Sequence, residues 1–175
     1  DYSGSEISLN AIGNMVAINS VENDGGGNRS GHVRVYEYKE PNVNEWNNGN
    51  VIKDGDGSQI SSKKYWTQLG FDIDGENAGD MSGKSVDLTS DYYIHRNLYP
   101  ESAGRVITPT RVAISSIMNA GGVAGSLRGH TRVYEYKIPE PDEWNYGNVV
   151  KGDDGLQVSN KYYWTQVGEI GRAHV

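Results

Sequence analysis

The sequence predicts an all-β protein: two consecutive four-stranded antiparallel blades of a β-propeller-like repeat array, present as an open fragment. Three observations carry this prediction. The chain matches itself at a fixed spacing of 98 residues (130 − 32). Each copy holds four short runs rich in Val, Ile, Tyr, Trp and Thr, divided by Gly, Asn, Asp and Ser clusters, as strands with polar turns should be. The 23 Gly, 12 Tyr and 4 Trp, with little helix-type patterning, suit many short strands joined by tight turns.

The self-match is ungapped. Residues 32–70 read HVRVYEYKEPNVNEWNNGNVIKDGDGSQISSKKYWTQLG, and residues 130–168 read HTRVYEYKIPEPDEWNYGNVVKGDDGLQVSNKYYWTQVG. About 25 of these 39 positions are identical, which marks a duplicated unit. Upstream, Ser3–Leu9 resembles Ser82–Leu88, and Met15–Ser20 matches Arg111–Ser116. The predicted strands of the first copy are Glu6–Leu9, Met15–Asn19, His32–Lys39 and Tyr65–Leu69. Those of the second are Ser85–Leu88, Arg111–Ser115, His130–Lys137 and Tyr162–Val167.

The third run says how the sheets are covered. Val33 and Val35 point to one side, and Arg34, Tyr36 and Tyr38 to the other. A sheet wetted on one face would alternate apolar with small polar residues, whereas bulk on both faces suits a sheet held between two others. Four-stranded sheets stacked radially or in line are the architecture that meets this need. A parallel β-helix or a sandwich is the alternative. The organisation that follows is a first blade at 1–70 with a long loop at 40–64, and an acidic inter-blade linker at 71–81. A second blade spans 82–168, with an insertion at 91–110 and a long loop at 138–161. Residues 169–175, EIGRAHV, read like the translation of a sequencing-library adapter, so the genuine sequence is expected to stop near Gly168. The chain opens at Asp1 inside a strand-like pattern without a signal-peptide pattern, as expected of a piece whose own start lies upstream.

A net charge of −7 with no basic stripe argues against nucleic acid as a partner. Cysteine is absent, so no disulfide contributes, and no apolar run is long enough to span a membrane as a helix.

The ordered set SGKSVDLT, RVAIS, GHTRVYEY, YWTQLG and DIDGENAGD resembles the FG-GAP-like blade repeats of integrin-type β-propellers. The resemblance covers nearly all of residues 3–168. It implies a propeller that closes with about seven blades, an extracellular or cell-surface location, roles in binding or cell adhesion, and neighbouring blades as partners in a full-length chain. Two features depart from the pattern: the 25-residue connection from Glu40 to Lys64, and the insertion in the second copy.

Candidate sites are few. Asp72, Asp74, Glu76 and Asp80 alternate around Gly75 and could offer hard oxygen ligands to Ca²⁺; the competing reading is a solvated acidic turn. Lys53-Asp54-Gly55-Asp56-Gly57 starts like a calcium loop, but its counterpart Lys151-Gly152-Asp153-Asp154-Gly155 keeps only Asp56/Asp154 and Gly57/Gly155 in register, which favours a plain turn. Trp46 and Asn47, with Trp144 and Asn145, sit in the long connections and could stack on and hydrogen-bond a sugar. Equally, each Trp could anchor its loop to the blade. Trp66 and Trp164 are expected to pack within the sheets, and His32 and His130 to stabilise the start of the third strand. His95 stands alone in the insertion, and the sequon Asn28-Arg29-Ser30 lacks a counterpart in the second copy. No nucleophile elbow, phosphate loop or Cys/His set is present. The expected function is a non-enzymatic binding or structural repeat module that presents loops to a protein or glycan. The alternatives are a calcium-dependent adhesion domain or part of a propeller-based polysaccharide-active enzyme.

Overall fold

The structure, a computed structural model, describes residues 1–43, 45, 51–53, 55–57, 63–89, 109–119, 129–145, 149–150 and 161–168. Within them the protein is almost entirely antiparallel sheet. The first sheet runs in the order β1 (Ser3–Leu9), β2 (Met15–Ser20), β3 (His32–Lys39), β4 (Tyr65–Gln68). A short strand β5 (Ile73–Asp74) also pairs with β3. The second sheet repeats the order with β6 (Ser82–Thr89), β7 (Arg111–Ser116), β8 (His130–Lys137) and β9 (Tyr163–Gln166). One helical turn, α1 (Pro141–Asn145), opens the connection from β8 to β9. The fold is thus all-β, in two meandering four-stranded units that are not closed into a ring.

The third strands match their predicted bounds to the residue. The first strands begin three residues earlier than predicted, at Ser3 and Ser82, because each carries a bulge. Gly4 and Gly83 sit in these irregular stretches with φ of +81° and +91°, a region open to Gly at no steric cost. Tyr162 and Val167 fall just outside β9.

Register fixes two faces on each sheet. Met15, Ala17 and Asn19 of β2 share one face with Val33 and Val35 of β3; Val16, Ile18 and Ser20 share the other with His32, Arg34 and Tyr36. The sheets stack with the first face of the first sheet against the second face of the second. Burial alternates accordingly. In β2 the buried apolar residues are Met15 and Ala17, whereas in β7 they are Val112 and Ile114, which match Val16 and Ile18. The same residue pattern is therefore buried on opposite faces in the two copies, which only head-to-tail stacking produces.

The larger core lies between the sheets. Met15, Ala17, Val33, Val35, Leu69 and Ile73 from the first unit pack on Val86, Leu88, Val112, Ile114, Tyr134 and Trp164 from the second. Hydrogen bonds cross the same seam. Asn19 Nδ2 donates to the Gly83 carbonyl at 2.7 Å, Leu88 N–H to Ser8 Oγ at 3.0 Å, and Trp164 Nε1 to the Leu69 carbonyl at 2.7 Å. The backbones approach closely enough at Gly31 that a Cβ there would lie 2.3 Å from the Ser82 carbonyl oxygen.

Candidate functional site

The acidic segment between the sheets is built into both of them. Its alternate spacing is that of a strand: β5 sets Ile73 opposite Val33 and Asp74 opposite His32. Ile73 is fully buried in the core. On the other side Asp72 takes a two-pronged hydrogen bond from Arg34, with Nε to Oδ1 at 2.7 Å and Nη2 to Oδ2 at 2.6 Å. Gln68 Nε2 donates a third bond to the same carboxylate at 2.8 Å. Burial would raise the Asp72 carboxyl, but the Arg34 and Gln68 bonds outweigh it and hold it below the usual range. His32 lies 3.5 Å from Asp72 and 3.8 Å from Asp74. Burial nevertheless dominates and holds its imidazole below the ordinary value; Asp72 pulls the other way and Arg34 adds to the lowering.

The later half of the segment turns to the second sheet. Glu76 accepts from Asn119 Nδ2 at 3.0 Å and stands 3.4 Å from Arg132 Nη1. Asp80 is buried, and its Oδ2 accepts from Asn119 Nδ2 at 2.8 Å and from the Asn77 N–H at 2.9 Å. Arg132 also reaches the Asp74 carbonyl through Nη2 at 3.4 Å.

Asp72, Asp74, Glu76 and Asp80 are thus divided between two sheets rather than gathered about one point. Among the described residues no group of three or more His, Asp and Glu side chains could hold a metal ion. A solvated turn describes only residues 76–79, which are exposed; the rest of the segment carries a strand and a core residue, and Asp72 and Glu76 pair with one sheet each. Of the groups that partner these carboxylates, Arg34 is read from the sequence only as bulk on one face of the third strand, Arg132 and Gln68 only as members of the repeat motifs, and Asn119 belongs to none. The signal was available: Arg34 and Arg132 occupy one repeat position on the bulky face of the third strand, where a cation needs an acidic partner.

Trp46 and Asn47 lie outside the described residues, as do the side chains of Trp144 and Asn145; the backbone of the latter two belongs to α1. The flanks of both connections are described. Lys39 Nζ stands 2.8 Å from Glu45, and Lys137 Nζ bonds Glu143 at 2.7 Å, the same contact in both copies. Within the long connections, Val51 and Val149 each bridge to the closing strand, at Thr67 and Thr165. The start of the first connection lies near the end of β8. Tyr136, at the end of β8, is pushed up to about 12 by burial and by the nearby Glu45 and Glu37 carboxylates of the first unit.

Trp164 is fully buried between the sheets, as its packing role predicts, and Trp66 is half-buried on the open face of the first sheet. His32 is buried at the start of β3, and His130 sits 4.0 Å from Glu76. Most of the insertion with His95, Asp54, the stretch 151–155 and the tail at 169–175 lie outside the described residues; Gly55 and Asp56 form an exposed turn, followed by Gly57 at φ +76°. No helix among the described residues is long and apolar enough to cross a membrane.

These features define an all-β repeat protein of stacked four-stranded sheets. No family model matches the chain, and neither a curated protein nor a solved structure does. The likeness to FG-GAP-like blades therefore rests on the ordered sequence motifs.

Proposed function

We propose that the chain is a non-enzymatic binding or structural module, two units of an FG-GAP-like propeller array, that presents its third-to-fourth-strand connections to a protein or glycan. The supporting observation is that the first connection starts near the end of β8, with Glu37 and Glu45 close to Tyr136, from which the second connection follows. Two nearly identical loops on one chain offer a partner the same chemistry twice, which raises affinity through effective concentration. Both loops carry Glu-Trp-Asn, a flat apolar ring beside hydrogen-bonding groups, the combination that recognises a sugar or a polar peptide surface. A glycan array probed with the wild-type chain and with the double variant Trp46→Ala/Trp144→Ala tests this reading. Binding by the wild type and loss in the double variant, with the melting temperature preserved, is expected. Equal binding by both, or none by the wild type, would remove the glycan role.

A further inference from the structure

The second face of the first sheet is an open groove of about 280 Å³, lined by Ser3, Val16, Ile18, Ser20, His32, Arg34, Tyr36, Ile52 and Trp66. Transferred through the repeat, each lining residue has a counterpart on the second sheet. The groove's Val16, Ile18, Tyr36 and Trp66 correspond to Val112, Ile114, Tyr134 and Trp164, all buried in the core between the sheets. Ser3 and Ser20 correspond to Ser82 and Ser116, both fully buried, and Ile52 to Val150, which packs on the same core. The groove is the seam of this protein seen without its other half.

The contrast continues along the first strand. Ile7 and Leu9 are 59% and 56% exposed, whereas their counterparts Val86 and Leu88 are 8% and 5% exposed. Gly83 is pressed against Asn19, Val33 and the His32 carbonyl of the first sheet, while Gly4, in the same backbone conformation, faces open space. A run of apolar side chains left in water along a preformed groove marks a contact surface.

We infer that this groove docks a second copy of this chain, head to tail, through the free face of the copy's second sheet. That face presents Ala113, Ser115, Thr131 and Val133, the counterparts of Ala17, Asn19, Val33 and Val35 that fill the seam within the chain. All four are only half-buried. Arg111 at its margin pairs with Glu135 at 2.8 Å, and the exposed carboxylate of Asp87, opposite Ala113 in the ladder, stands where the internal seam has Ser8. The occupant matches the seam's chemistry of small and β-branched residues, and its polar positions fall where Asn19 and Val33 stand in the existing seam. Thr131 and Ser115 make the free face more polar than the one it imitates, so the contact is weaker than the internal seam. A donor face that differs from its acceptor face gives a heterologous contact, which adds copies in a row rather than closing at a dimer.

Sedimentation velocity on the 175-residue chain, from about 1 µM to about 1 mM, tests the inference over the range where weak contacts appear. The expected result is a mass that climbs with concentration past that of a dimer. Ile18→Asp, on the groove floor, should leave a monomer throughout, and so should Ile52→Asp, whose exposed position makes misfolding a poor explanation for any loss. Ala113→Asp blocks the opposite face. Mixed with Ile18→Asp it should restore association that stops at one pair, because each variant keeps one intact face. A wild-type chain that stays monomeric to the top of the range overturns the inference. So does unchanged association in both groove variants, or a mixture that fails to pair. None of these variants alters Trp46 or Trp144, so this outcome is separable from that of the glycan array.

Discussion

Replacing Ile114 by Ala and, in a separate protein, Ile18 by Ala places one deletion in two settings. The residues hold the same repeat position and oppose equivalent arginines across the ladder, Arg132 and Arg34. Ile114 is fully buried between the sheets; Ile18 lines the open groove and is half-buried. Truncating a buried Ile removes its transfer free energy and leaves a cavity, at about 2–5 kcal/mol. Ile114 lies in the middle of a core fed from both sheets, where collapse is restricted, so roughly 3–4 kcal/mol is expected there. At Ile18 water can enter the vacated space, no cavity term arises, and about 1 kcal/mol is expected from partial burial alone. At roughly 2–4 °C per kcal/mol for a chain of this size, Ile114→Ala should melt some 6–16 °C below wild type and Ile18→Ala only a few degrees below. Urea unfolding followed by tryptophan fluorescence, at low micromolar concentration, gives both values with their slopes. Losses equal to within about 0.5 kcal/mol would refute the head-to-tail stacking, since that stacking alone distinguishes the two sites.

Acidification should destabilise the fold through His32. Its folded-state imidazole titrates below the ordinary value of 6.5, so beneath that value the unfolded chain binds a proton that the folded chain does not. The contribution is intact above pH 6.5 and lost as pH falls toward the lowered value; thermal melts of the wild type and of His32→Gln should diverge at neutral pH and converge on acidification. Asp72, held below its usual range by Arg34, adds a further loss at pH below about 4. Gly31→Ala and Gly129→Ala form a second internal comparison, with φ of +73° and +62°. Both carry the left-handed strain of about 1–2 kcal/mol, but only at Gly31 would the Cβ meet the backbone of the other sheet, 2.3 Å from the Ser82 carbonyl oxygen and 2.6 Å from its nitrogen. Denaturant unfolding should show a clearly larger loss at Gly31, and equal losses would argue that the sheets are not apposed there.

Much of the fold is legible in the sequence because its determinants are local. His32–Lys39 and His130–Lys137 are bounded by Gly31 and Gly129 on one side and by proline-containing turns on the other, and their alternation fixes length and register. The starts of β1 and β6 are harder, because Gly4 and Gly83 read as breaks although each sits in a bulge that the strand passes through. Strand β5 is hidden in a segment whose acidic residues suggest a turn, and only its pairing with His32 and Val33 makes it a strand. The choice of buried face is not local at all. Near-identical third and fourth strands bury Val33 and Val35 in one copy, and Arg132, Tyr134 and Trp164 in the other. Each sequence is compatible with either burial, and the presence or absence of a neighbouring sheet decides it.

That ambiguity explains why an arginine can sit on a face destined for burial. Arg132 is nearly inaccessible, and a buried guanidinium without a counter-charge would cost several kcal/mol. The linker that joins the units supplies that charge where the sheets meet, Glu76 for Arg132, and gives the opposing Arg34 a carboxylate of its own in Asp72. Neither pairing could form within a lone unit of the repeat cut at the linker, because each needs residues that follow β4. The unit that folds is therefore a sheet together with the acidic segment behind it, and the segment's charges serve the joint between sheets. At the groove Arg34 already has Asp72, so the docking face of Ala113, Ser115, Thr131 and Val133 need supply no acid for it. The exposed Asp87 on that face is where the second contact departs from the internal seam, which has Ser8 there.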